Sequence, residues 1–170
     1  MKMEIRESEQ RFLLLQKFLK ENALGDFQVT PLADDCSFRR YFRVKANEVS
    51  FVVMDAPPEK EDTRPFIEIS KLLNDYGFSA PRVFTVDSMN GFLILEDFGN
   101  ETYTKALSED KDELCLYHLA IDLLIDLGRR NYKEEIAFLP KYDSLKFLEE
   151  VVLFLDWYLA VSYTHLRAHE

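Results

Sequence analysis

From Ser8 onward, Phe12, Leu15 and Leu19, reinforced by Leu14 and Phe18, recur at helical spacing until Asn22 and Gly25 interrupt the run. Ser8 is suited to cap such a helix, and its apolar stripe predicts a helix lying on a sheet. The period then changes. Strand-like runs at 27–32, 38–44 and 50–55 are bounded by turn residues, with Asn47 and Glu48 between the last two, a spacing that suits an antiparallel meander. Pro65 stands where a helix can begin, and Phe66, Ile69, Leu72, Leu73 and Tyr76 form an inward stripe before Gly77 ends it. The runs PRVFTVD and FLILE flank Asn90-Gly91, a pair that tolerates the positive φ of a tight hairpin turn. Five strands and two helices are thus predicted by Glu96, and the fold class is α+β.

After EDFGN the strand period disappears. Residues 108–127 and 144–160 read as helices, with Leu114, Tyr117, Ile121 and Leu124 on one stripe and Leu145, Leu148, Val152 and Leu155 on another. Leu116, Leu119, Leu123 and Leu127 make the first of them apolar on more than one side, which predicts burial among neighbouring helices. Two helices and a short third are too few to surround it, so further partners are expected on the C-terminal side. The final VSYTHLRAHE resembles a peptide translated from sequencing-adapter sequence, and residues 161–170 are read as a non-native tail. His165 and His169 in that tail have the i, i+4 spacing of paired metal ligands, but no third ligand accompanies them, and no metal site is assigned.

Composition narrows the partners. Of 170 residues, 47% are hydrophobic and 31% charged, enough for one ordinary core. With 31 acidic against 21 basic residues the net charge is −10, which repels nucleic acid unless a local basic patch overrides it. No apolar run approaches the roughly 18 residues of a membrane span, and the charged N-terminus lacks a secretory core, so a cytoplasmic protein is expected. Cys36 and Cys115 match no metal or redox spacing and are read as free thiols.

The local basic candidate is the strand SFRRYFRV. Alternation puts Phe38, Arg40, Phe42 and Val44 on one face and Arg39, Tyr41 and Arg43 on the other. Arginines on both faces can present guanidinium forks to a phosphorylated ligand, or pair with an acidic surface.

A five-stranded sheet with a helix after its third strand, then a short connector and a helical half, is similar to the small lobe of a protein-kinase-like phosphotransferase running into its large lobe. The strings LADDCSFRRYFRV, VVMDAPPEKEDTRPF, PRVF, GFLILEDFGNETY, LPKYDSL and LFLDWYL resemble, in that order, the aminoglycoside phosphotransferase and choline-kinase superfamily. Within it they resemble most the bacterial cell-wall-recycling kinases that phosphorylate the anomeric hydroxyl of N-acetylmuramate and N-acetylglucosamine. The resemblance implies a small lobe at 1–96, a hinge at 97–101 and the start of an incomplete helical large lobe at 102–160. It implies ATP and magnesium as cofactors and a small sugar as acceptor, with neither nucleic acid nor membrane as a partner.

By the same resemblance, a turn at 34–38 covers the phosphates through Ser37, Phe38 and local amides, and Glu96, Asp97 and Phe98 form the adenine connector, chiefly through main-chain groups. Where kinases of this fold carry a third-strand lysine, this chain has Met54 and Asp55, so the cation is expected from Arg40, first choice, or Arg43. Asp55 itself reads either as a cap on the APP turn or as an arginine partner. Asp156 and Trp157 suit a pyranose, and equally suit helix packing. His118 and Asp122 echo a histidine and acid pair but fall inside an apolar helix, so no catalytic residue is assigned, and the catalytic loop is expected beyond residue 160. Without it the chain is expected to be inactive. Two other readings stay open: a non-catalytic nucleotide-binding regulatory module and an acidic α+β interaction domain.

Overall fold

The computed structural model describes residues 2–22, 26–32, 38–46, 48–109, 111–130, 136, 137, 139 and 141–159. They fall into two compact units, Met1–Arg129 and Arg130–Glu170. In the first, helix α1 (Lys2–Glu21) precedes strands β1 (Phe27–Pro31), β2 (Arg40–Ala46) and β3 (Val49–Asp55). Helix α2 (Arg64–Asp75), strands β4 (Val83–Asp87) and β5 (Phe92–Glu96), and helices α3 (Tyr103–Ser108) and α4 (Glu113–Arg129) follow. The second unit contains α5 (Ser144–Leu153), continued by a π-helical turn at Phe154–Leu159.

The strands form one antiparallel sheet in the order β1-β2-β3-β5-β4. The first three are the expected meander. The chain then leaves through α2 to the far edge and returns along β5, which takes the place beside β3. That position explains why FLIL is continuously apolar: Phe92 and Ile94 face one core while Leu93 and Leu95 face the other, and all four are buried.

The two faces have different covers. On one, Leu15, Phe18 and Leu19 of α1 pack on Val44, Val53, Phe92 and Ile94, with Phe18 stacked on Phe92 at 5.6 Å between centroids. On the other, Phe66 and Ile67 of α2 pack against Met54, Leu93 and Leu95, with Tyr41, Val52 and Val83 at the margin. Fully burying a Leu or Phe contributes about 1.5–3 kcal/mol, so both helices are anchored chiefly by these few side chains.

Some local readings shift. Helix α1 starts at Lys2, so Ser8 lies inside it and is not its cap. The stripe on α2 turns toward Ile67 and a buried Ser70, whose hydroxyl donates to the Pro81 carbonyl at 2.6 Å, while Asn74 Nδ2 donates to the Ala80 carbonyl at 3.0 Å. These bonds let polar residues face inward without loss. Thr102 caps the additional short helix α3 by accepting from the Lys105 N–H at 3.2 Å. Helix α4 buries no residue within the description, in contrast to the burial its sequence predicts. In the second unit Asp143 caps α5, accepting from the N–H groups of Leu145 and Lys146, and the rings of Phe154 and Tyr158 stack at 5.0 Å.

Candidate functional site

Strand β2 sends its arginines to three different destinations. Arg40 shares the face of Phe42, as alternation requires, and this is the face covered by α1. There its Nη2 and Nε donate to Asp55 Oδ2 at 2.5 and 3.2 Å. Arg11 of α1 closes on the other Asp55 oxygen and donates to the Asn90 carbonyl at 2.7 Å. Asp55 is 1% exposed, and a carboxylate so deeply buried persists because two guanidinium groups hold it. Of the two readings of Asp55, arginine pairing is therefore the observed one; the APP turn is held instead by the Ala56 N–H donating to the Gly91 carbonyl at 2.9 Å. The cluster ties α1, β2, β3 and the β4–β5 turn together, on the side of the sheet away from α2.

Arg43 lies on the opposite face, paired in register with Val52, and reaches the connector that follows β5. Its Nε and Nη2 grip both oxygens of Asp97 at 2.7 and 2.8 Å, Nη2 also donates to the Gly99 carbonyl at 2.9 Å, and Nη1 donates to Asn100 Oδ1 at 2.5 Å. Ser50 Oγ adds a bond to Asp97 at 2.5 Å, and the Gly99 N–H donates back to the same carboxylate at 2.9 Å. The Arg43 bonds, aided by Ser50 and the Gly99 amide, outweigh desolvation and hold the Asp97 carboxyl down at about 2. Gly99 adopts φ of 79°, the left-handed conformation this tight turn requires. One arginine thus fixes three positions of the connector, Asp97, Gly99 and Asn100, with the Asp97 carboxylate turned inward and Phe98 left 57% exposed. Glu96 is fixed from the other side, its N–H donating to the Arg82 carbonyl at 2.9 Å.

Arg39, just before β2, takes a third course. Its Nε donates to Glu61 Oε2 at 3.0 Å, and with Pro65, Phe66 and Ile69 of α2 it lines an open groove of about 260 Å3. Burial opposes its charge, but the hydrogen bond and charge of Glu61, with help from Tyr41, raise its pKa. Nearby, Lys60 sits over the exposed ring of Phe38 at 5.2 Å.

The structure therefore brings together Arg43 and the connector residues Glu96, Asp97 and Phe98, and separates Arg40 from them by the thickness of the sheet. Ser37 lies outside the described residues, as do Cys36, His165 and His169. Asp156 belongs to the second unit, exposed on its π-helical turn; Trp157 shares that turn, and its side chain is outside the description. His118 and Asp122 are exposed on α4. Among the described residues no group of three His, Cys, Asp or Glu is placed to hold a metal ion, and no helix is long and apolar enough to cross a membrane.

Four contributors escaped the reading of the sequence: Arg11, Ser50, Glu61 and Asn100. Arg11, Ser50 and Asn100 act through contacts 44 to 79 residues apart in the chain, which no local pattern announces. Glu61 gave a weak signal, being one of several acids in PPEKED after the proline exit.

Comparison with known proteins agrees with this geometry. The sequence model of a phosphotransferase enzyme family matches residues 28–161. An N-acetylmuramate/N-acetylglucosamine kinase of Pseudomonas aeruginosa is 44% identical over 135 residues, covering 78% of this chain and 38% of the relative. Kinases of the same name from Pseudomonas putida and Neisseria meningitidis are 38% and 35% identical, covering 85% and 79% of this chain. The chain spans only 42% and 40% of those two relatives. A match over most of the chain, on a five-stranded sheet that leads through a clasped connector into helices, shows that this chain belongs to the phosphotransferase enzyme family.

Proposed function

We propose that this chain forms the nucleotide-holding part of an ATP-dependent kinase that phosphorylates a hydroxyl of an amino sugar of the N-acetylmuramate and N-acetylglucosamine type. The observation that carries the reading is the clasp of Arg43, Ser50 and Asn100 on the connector. With the Asp97 carboxylate turned inward, the main chain at Asp97 and Phe98 is the part of the connector suited to hydrogen-bond an adenine edge, and the exposed Phe98 ring offers an apolar contact. A clasp of this kind sets the connector before the ligand arrives, which lowers the ordering cost of binding.

In this reading residues 1–96 are the small lobe, 97–101 the hinge and 102–160 the start of the large lobe, in a cytoplasmic enzyme. Magnesium enters with ATP and neutralises charge on the transferred phosphoryl group; the residues described here supply no ligand set for it, and no step is assigned to it. Asp156 and Trp157 are proposed for the sugar side.

The test uses a polypeptide that contains this sequence and continues to the length of its relatives. Incubated with ATP, magnesium and either sugar, it should yield a sugar phosphate detected by phosphorus NMR, and Arg43→Gln should raise the KM for ATP more than it lowers kcat. Failure to phosphorylate either sugar would overturn the acceptor assignment.

A further inference from the structure

The arginines of β2 are all engaged within the protein. Arg43 is held by the connector, Arg40, first choice from the sequence, is held by Asp55 on the α1 face, and Arg39 is held by Glu61. On the side of the sheet that carries the connector, β3 contributes Ser50, which is bonded to Asp97, then Val52 and the fully buried Met54. From β2 the same row holds Lys45, Arg43 and Tyr41. Tyr41 stands opposite Met54 in the ladder, its ring packs on the cluster of Met54, Leu93 and Leu95, and the residue is half-buried. Its main-chain carbonyl accepts from the Leu32 N–H at 2.9 Å, so backbone and ring are both fixed. The Tyr41 hydroxyl is a further partner of Arg39, on the side away from Asp55. A guanidinium has donors only, so the phenol oxygen accepts this bond and its own O–H hydrogen is directed to another acceptor.

We propose that Tyr41 is a nucleotide-binding residue of this chain, its hydroxyl, steadied by Arg39 and Glu61, donating to an oxygen of the phosphate nearest the ribose. The inference rests on the nucleotide reading above and deepens it by assigning a phosphate contact to a neutral donor. Tyr41 lies two strand residues from Arg43, about 7 Å at ~3.3 Å per residue. A base held by the connector main chain therefore brings its ribose and first phosphate over Tyr41. An O–H that donates to a phosphate oxygen while its own oxygen accepts from a guanidinium is strengthened at both ends, by the charge of the acceptor and by polarisation through the chain of bonds. This arrangement suits a chain with a net charge of −10, because it offers an anion a donor without drawing any arginine from its carboxylate. Glu61 and Arg39 act as positioning residues: Glu61 accepts from Arg39 Nε at 3.0 Å, with the two side chains only 18% and 30% exposed, and the pair fixes the direction in which the phenol oxygen accepts.

The experiment is a calorimetric titration of this 170-residue chain with adenosine, AMP and ATP, which separates the base end from the phosphate end. Tyr41→Phe keeps the ring on Met54 and removes only the hydroxyl, so the variant should fold as the parent does, and adenosine binding serves as its internal control. AMP and ATP should each bind at least about tenfold more weakly, the loss expected for a hydrogen bond to a charged group, while adenosine stays within about twofold. Glu61→Gln should weaken AMP by a smaller factor in the parent and by no further factor in the Tyr41→Phe background, because Glu61 acts through the phenol; a purely structural role would move adenosine as well. If Tyr41→Phe binds AMP like the parent, if it loses adenosine and AMP equally, or if the Tyr41 and Glu61 effects simply multiply, the assignment is overturned while the nucleotide reading stands. Binding of none of the three ligands by the parent chain would instead overturn the nucleotide reading, and this inference with it.

Discussion

Asp97 and Asp55 are both carboxylates gripped by arginine, and the difference between them is one of exposure and purpose. Asp97 fixes a connector that leads out of the sheet, and its carboxyl is held at about 2 against an ordinary value of 3.8. The depressed value means that folding favours the charged form. Its contribution, about 2 kcal/mol at ~1.4 kcal/mol per pKa unit, is fully present above pH 4 to 5 and is lost as pH falls through about 2. Urea unfolding of the parent and of Asp97→Asn should therefore differ most near neutral pH and converge only below about pH 2. A gap that stays constant across that range would mean that the charge of Asp97 is not what Arg43 stabilises. Asp55 is a different case, because removing it strands two guanidinium groups in a buried setting. Asp55→Ala should cost about 3–5 kcal/mol, toward the lower figure because the Arg40 side chain is 31% exposed and can rehydrate. A thermal melt within a degree or two of the parent would contradict this. Strand alternation correctly paired Arg40 with Phe42 and Arg43 with Tyr41 in the sequence. It could not say which face α1 covers and which α2, and that single missing fact decides which arginine meets the connector.

At the level of elements, the sheet was legible because residues with distinct backbone needs, Pro57 after β3 and Asn90-Gly91 between β4 and β5 among them, bound its strands. Gly91 shows how far such a need extends. Its φ is 72°, and a Cβ built on it would stand 1.9 Å from the Ala56 carbonyl oxygen, a backbone atom that already accepts no slack because Ala56 and Gly91 are hydrogen-bonded to each other. Gly77, which ends the residues of α2, has φ of 81° but nothing within 4 Å of the same added atom. Gly77→Ala should cost only the left-handed backbone penalty, about 1–2 kcal/mol, whereas Gly91→Ala should cost clearly more and disturb the β3–β5 pairing. Equal shifts in melting temperature for the two would show that the turn can move away from Ala56. What the sequence concealed at this scale has a common origin. The first turns of α1 carry no apolar periodicity, so its start at Lys2 left no pattern to read, and the inward Ser70 of α2 looks polar until its partner, the Pro81 carbonyl, is known. The place of β5 beside β3 depends on a crossover between distant segments, although its uninterrupted apolar run did carry the mark of a strand buried on both faces.

Within the first unit, Phe92, Leu93, Ile94 and Leu95 of the sheet are buried, whereas no residue of α4 is. Leu114, Leu119 and Leu124 are 70%, 61% and 63% exposed, and an apolar surface of this extent on one helix is unusual for a monomer in water. The sequence showed that α4 is apolar on several sides, and so implied neighbours; it could not supply them from the residues at hand. The chain spans only about two fifths of relatives that match it over most of its own length, so a longer polypeptide offers the natural comparison. Leu119 and Leu123, one helical turn apart, form the most direct probe. In this 170-residue chain, Leu119→Glu combined with Leu123→Glu should change unfolding free energy by no more than about 0.5 kcal/mol per site, as for other exposed positions, and should reduce self-association seen by light scattering. In a polypeptide of the relatives' length, the same pair should cost several kcal/mol, because each Leu would lose about 1.5–3 kcal/mol of burial and each Glu would be forced to stay charged away from water or to take up a proton. The contrast between the two backgrounds is the informative quantity. If the double substitution is harmless in both, α4 keeps its apolar face in solvent in the longer protein as well, and the helical half of the chain must be organised on other surfaces.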